Sequence, residues 1–145
     1  MSLDRRKVTI DSNVIISYSI ARHDETLDRR AVKKCIASDT PMITNIITKE
    51  CLRYALKSKG KISKSEMKRK LKEISKDIIV IDNIPPDEEL EKRYKIRSKK
   101  DLKILYSADV TDSEIIISKD DDFFDDVQGI KAKIKKPKEY LIDNP

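Results

Sequence analysis

Histidine is almost absent from this 145-residue chain: His23 is the only one, and it sits in the polar stretch ARHDET. That excludes zinc sites rich in histidine and leaves general-base work to carboxylates or to water on a metal ion. Cysteine is scarce as well. Cys35 and Cys51 are isolated and fall where the apolar spacing is helical, so they read as buried thiols and not as a disulfide framework. Aromatic residues make up only 5% of the chain, too few for base stacking to be the main source of affinity for a nucleic acid. No apolar run is long enough to cross a bilayer, and the N-terminal MSLDRRKVTI lacks the apolar core of a signal peptide. The expectation is a cytoplasmic protein with no membrane partner.

What the chain has in abundance is charge. Charged residues account for 40% of it and the mean hydropathy is −0.60. The apolar residues nevertheless gather into short runs such as VIISYSI, DIIVI and EIIIS, which argues for a packed core. The length suits one domain over residues 1–145. A net charge of +6 and a pI near 9.2 suit a polyanionic partner, because lysines that neutralise phosphates release condensed counterions. The same composition also occurs in thermophile proteins with surface ion-pair networks.

Along the chain, KVTI reads as a short buried strand ending at Asp11, with Asn13 placed to cap the helix that follows. Residues 26–38 repeat apolar positions at helical spacing, PMIT gives a second strand, and ITKECLRYALK a helix ended by Gly60. Ser63 opens a further helix, and DIIVID is a third strand. EELEKRYKIR reads as a charged helix, DLKILYSADV as a more apolar one, and EIIISKD as a fourth strand. Near the end, Ile130, Ala132 and Ile134 alternate with Lys131, Lys133 and Lys135, as in a half-buried strand whose lysines protect a sheet edge. Strands alternating with helices imply an α/β fold with a parallel sheet covered on both faces.

In such a sheet functional groups collect beyond the carboxyl ends of the strands, near the reversal of strand order. Asp11 and Asp120 follow two of these strands, and Glu50 and Asp101 are expected in the first turns of helices that face the same rim. Taken singly, each acid has a plain structural explanation: Asp101 could cap a helix, and Glu50 could favour a helix N-terminus. Taken together, four converging carboxylates repel one another unless a hard cation such as Mg²⁺ or Mn²⁺ compensates them.

The stretches VTIDSNVII, ITKECLRYAL and DLKILYSAD leading into IIISKDDDFF, in this order and over nearly the whole chain, resemble the PIN-domain ribonucleases. The resemblance implies a three-layer α/β/α fold with about five parallel strands, a Mg²⁺ or Mn²⁺ site, and hydrolysis of RNA phosphodiesters. It matches Asp11, Glu50, Asp101 and Asp120 to the family's acids, Asn13 to a small polar position, and Ser118, Asp120, Asp122 and Phe123 to the closing motif. In the chemistry expected, Asp11, Asp101 and Asp120 hold the principal ion and Glu50 orients or deprotonates the attacking water. Asp122 assists a second ion, unless one of its neighbours Asp121, Asp125 or Asp126 takes that place, and Ser118 fixes a carboxylate. Some members of the family are toxins held inactive by an antitoxin protein, which adds an antitoxin and a homodimer to the expected partners, the dimer through Tyr94, Leu102 and Tyr106.

RNA contacts are expected from Lys68, Arg69 and Lys70, and from Arg97, Lys99 and Lys100 beside Asp101. The first group could equally be a solvated helix face. Phosphatase and receiver domains of doubly wound type fit poorly, because the residue two after Asp11 is Asn13 and the second strand ends in Thr-Asn. A catalytically silent PIN-like module that binds RNA or protein is the stronger alternative.

Overall fold

The computed structural model describes residues 5–20, 26–57, 62–96, 101–120 and 127–143. Five strands form one sheet: β1 (Lys7–Ile10), β2 (Thr40–Thr44), β3 (Ile79–Ile81), β4 (Ile115–Ile117) and β5 (Lys133–Lys135). Their order is β3-β2-β1-β4-β5 and every pairing is parallel. The chain moves from β1 outward through β2 to β3 and then returns to lay β4 on the other flank of β1. Strand order therefore reverses between β1 and β4.

Among the described residues seven helices surround the sheet: α1 (Ser12–Ile20), α2 (Leu27–Ser38), α3 (Ile46–Lys57), α4 (Lys64–Ile74), α5 (Asp87–Leu90), α6 (Leu102–Val110) and α7 (Pro137–Asp143). Alternation along the strands sorts their side chains into two cores. Val8, Ile10, Ile115 and Ile117 pack with α1, α2, α3, α4 and Tyr140 of α7. Ile116 and Ala132 point the other way, onto Leu90 and the Leu102, Leu105 and Ala108 face of α6. The result is a three-layer α/β/α fold. The three isoleucines of β4 are at most 3% exposed, and burial of each stabilises the sheet by about 1.5–3 kcal/mol. Cys35 and Cys51 are buried free thiols, and burial pushes both up to about 12.

Local chemistry sets the helix ends. Thr26 and Ser63 cap α2 and α4, accepting the backbone N–H groups of Arg29 at 3.3 Å and Glu66 at 3.1 Å. Asn13 is not a cap, because α1 starts at Ser12 and Asp11 occupies the position before it. The charged helix expected from residue 88 to 97 shrinks to the single turn of α5, whose acidic first residues offer little apolar surface for a longer packed element. The helix α7 had no counterpart in the expected elements. It carries Tyr140, which is fully buried, and packs on α2. Tyr94 and Leu102 are also buried, at 4% and 2% exposure, and Tyr106 is half-buried against the second core. Tyr94 and Leu102 therefore offer no surface to the dimer face expected of them; among the described residues the large apolar side chains that are exposed are Leu27, Leu56, Ile79, Val80, Val110 and Ile142. Among the described residues no helix is long and apolar enough to cross a membrane.

Candidate metal centre

The parallel register of β1 on β4 pairs Ile10 with Ile117, so both strands end level and deliver the next residues to one rim. Asp11 is held at the last rung of that ladder, where its backbone N–H donates to the Ile117 carbonyl at 2.9 Å. Its own carbonyl accepts from Val14 and Ile15, which starts α1 without a break. The side chain is fixed at both oxygens: Oδ1 accepts the Ser12 N–H at 2.7 Å and Oδ2 accepts the Ser118 hydroxyl at 2.7 Å. The same Ser118 oxygen accepts the backbone N–H of Asp120 at 3.0 Å. One buried hydroxyl thus joins the two strand-end acids.

Asp101 comes from the other layer, at the start of α6. It is 6% exposed and its side chain makes no capping hydrogen bond, so helix capping does not account for its burial. One carboxylate oxygen from each of Asp11, Asp101 and Asp120 lies within 4.8 Å of the other two. Glu50 reaches the group through Ser12, whose hydroxyl donates to Glu50 Oε2. Because α3 begins at Ile46, directly after β2, Glu50 stands past the first helical turn and not within it as the sequence suggested. At that depth the helix dipole gives little to an acid.

Burial pushes the Asp11 carboxyl up to about 6; the hydrogen bonds from Ser118 and Ser12 oppose the shift, and repulsion from Glu50 and Asp120 adds to it. Among the described residues no basic side chain pairs with Asp11. Lys119, next to Asp120, is turned away to Asp28 on α2 at 2.8 Å, while its backbone N–H donates to Asn13 Oδ1 at 3.4 Å. This donor set fits a small hard cation. Ligands of one octahedral ion at 2.0–2.1 Å are at most about 4.2 Å apart, a spacing that slight side-chain rotation of the three acids can reach.

The family model for the PIN domain matches residues 8–130. The chain belongs to the PIN-domain family. Among solved structures, the PIN domain is similar to a chain in the crystal structure of VapBC2 from Rickettsia felis bound to a DNA fragment from their promoter. The TM-score is 0.63 at 18% identity, over 90% of this chain and 99% of that one, a likeness of fold. A comparison with curated proteins matches none of them.

Asp122, Arg97, Lys99 and Lys100 lie outside the described residues. On α4, Arg69 is paired with Glu73 at 2.9 Å, Lys70 donates to the Ser19 carbonyl at the end of α1, and Lys68 is exposed. Two of these three cations are therefore engaged within the fold. The residue that sequence reasoning overlooked is Ser12, which links Asp11 to Glu50. Its only sequence signal is its place beside the first acid, ahead of the helix.

Proposed function

We propose that this PIN domain is a divalent-cation-dependent ribonuclease. The observation that carries the proposal is the convergence of Asp11, Asp101 and Asp120 around a buried carboxylate with no cationic partner among the described residues. Asp11, Asp101 and Asp120 would hold Mg²⁺ or Mn²⁺, with Asp122 as the candidate fourth acid. When bound there, the ion supplies a Lewis acid for the phosphate oxygens and lowers the pKa of water at its surface. Ser118 holds the Asp11 rotamer and the Asp120 backbone together, which keeps both donors aimed at one point. Glu50 stands one residue away through Ser12; as a half-buried carboxylate it can accept a proton from an attacking water and orient it toward the phosphate. Asn13 keeps the Asp120 loop close to α1.

RNA as substrate rests on the basic charge of the chain and on the family's resemblance to ribonucleases; fold alone does not set the substrate. An antitoxin partner and a cytoplasmic setting draw support from the likeness to the VapBC2 complex, and belong to the same proposal. The test is incubation of purified protein with several RNAs of differing structure. Cleavage that requires Mn²⁺ or Mg²⁺ and stops with a chelator is expected. RNAs left intact with both ions, while a control nuclease cuts them, would leave the silent binding module as the better reading.

A further inference from the structure

A cleft of about 470 Å³ opens beside Glu50 between α3 and α6. Four cations line it: Lys49, Arg53 and Lys57 from α3, and Lys103 from α6. The three on α3 follow one another at intervals of four residues, so they form a single stripe on the helix with steps of about 6 Å. Among the described residues none of the four is held in an ion pair, unlike Arg69 on α4. Glu50 itself lines the cleft beside Lys49 and Arg53, so the basic walls meet the acids at that residue. The cleft's remaining wall is Ile16, Ile46, Tyr54 and the carboxylate of Asp87. Ile16 and Tyr54 also border a second hollow of about 270 Å³ that Asn13 and Lys119 close on the far side. Tyr54 thus lines both recesses, and the larger one reaches the acids at Glu50.

We infer that Lys49, Arg53, Lys57 and Lys103 form a phosphate track that carries one nucleic-acid strand into the acid cluster, with Tyr54 and Ile16 supporting a base beside the bond to be cut. This rests on the nuclease reading and adds the residues that position its substrate. The volume is that of a small-molecule pocket, room for a nucleotide or two and not for a duplex. Four cations against the two carboxylates Glu50 and Asp87 leave the lining net positive, which favours a polyanion over a protein segment. The phosphates supply affinity and register, while the ring of Tyr54 offers a face that any base can stack on.

The test is binding of a fluorescein-labelled single-stranded RNA to metal-free protein, followed by anisotropy between low and moderate salt, with Mn²⁺-dependent cleavage measured alongside. A triple variant, Lys49→Ala, Arg53→Ala and Lys57→Ala, is expected to bind about tenfold to a hundredfold more weakly at low salt. Its salt slope should fall by roughly 2, about 0.7 for each lost phosphate contact, and KM should rise with kcat within a few fold. A control triple variant at the opposite end of the sheet, Lys7→Ala, Lys131→Ala and Lys133→Ala, removes the same charge and should leave the slope within about 0.5 of the parent's. Tyr54→Leu keeps an apolar wall; it should weaken binding about fivefold at every salt concentration without changing the slope. Should the α3 variant fold poorly, Lys103→Gln on a separate helix gives the same test, with a slope change of about 0.7. Equal slopes in the parent and the α3 variant, or equal losses in the α3 and control variants, would overturn the track and leave the cleft to a protein segment. A parent that binds RNA through this stripe but cuts none with Mn²⁺ would uphold the track and defeat the nuclease reading, so the two failures are separable.

Discussion

Two of the buried aspartates of this PIN domain lie at opposite ends of the sheet, and their surroundings differ in one respect. Asp39, at the end of α2, is 6% exposed; it accepts Arg6 through both oxygens, at 3.2 and 3.0 Å, and the hydroxyl of Tyr140 as well. Asp11, at the end of β1, is 3% exposed and accepts only hydroxyl and backbone donors. The consequences appear in the partners. Arg6 is pushed further above its ordinary value, chiefly by its hydrogen bond to Asp39, and Tyr140 is pushed up by burial and by the same carboxylate. Burial pushes Asp11 itself up to about 6, and no cation among the described residues offsets it. A buried acid with its own cation ties β1, α2 and α7 together. A buried acid without one, beside two more, is a place where the fold tolerates repulsion, and such places are where chemistry is found.

The contrast yields predictions that differ most in activity. Asp11→Asn should reduce cleavage below about a thousandth of the parent rate, because it removes a donor from a set that acts as a unit. Asp39→Ala should leave the rate per folded molecule unchanged; gel-based cleavage assays on both variants compare them directly. Stability should show the reverse. Asp39→Ala removes the carboxylate that accepts both Arg6 and the Tyr140 hydroxyl, and chemical denaturation should register a loss of about 2–4 kcal/mol, while metal-free Asp11→Asn should match or exceed the parent.

The pH dependence sharpens the comparison further. An unfolded Asp titrates near 3.9 and folded Asp11 near 6, so the native state binds the proton more tightly. The sign follows: ionised Asp11 destabilises the metal-free fold above about pH 6, by something on the order of 2–3 kcal/mol, and this penalty fades as pH falls toward 4. The stability difference between Asp11→Asn and the parent should therefore be largest at pH 7.5 and fall to about a third of that at pH 4.5, as urea melts at the two pH values would show. A smaller effect is expected of Ser118→Ala, which frees Asp11 Oδ2 and the Asp120 N–H at once. Mn²⁺ affinity by isothermal titration should drop about tenfold to a hundredfold with the fold intact.

Much of this arrangement was legible in the sequence because parallel sheets impose it. Once KVTI and EIIIS are central strands, the residues after them must emerge at one rim, which brings Asp11 near Asp120 with no knowledge of side-chain rotamers. The helix α7 was not legible: PKEYLID holds too few apolar residues for periodicity to register, and its place is decided by Tyr140 meeting Asp39 across a hundred residues. EELEKRYKIR reads as a charged helix, yet among the described residues only the turn Asp87–Leu90 is helical there. Nor could the sequence rank its lysines. The run on α4 is the densest, but Arg69 and Lys70 are drawn into local bonds, whereas the sparser stripe on α3 lines a cleft. Ser12 escaped notice because its role depends on Glu50 arriving one turn inside α3.

The central claim is that Asp11, Asp101 and Asp120 form a site whose repulsion a divalent ion relieves, and a thermal scan with and without millimolar Mn²⁺ tests it most directly. An ion that binds only the folded state stabilises it by about 2.7 kcal/mol at a hundredfold excess over Kd, a rise of several degrees in Tm for a domain of this size. The parent should show that rise at pH 7.5, and Asp11→Asn should lose most of it while melting no lower than the metal-free parent. A parent indifferent to the ion, or an Asp11→Asn variant that gains as much from it, would contradict the account.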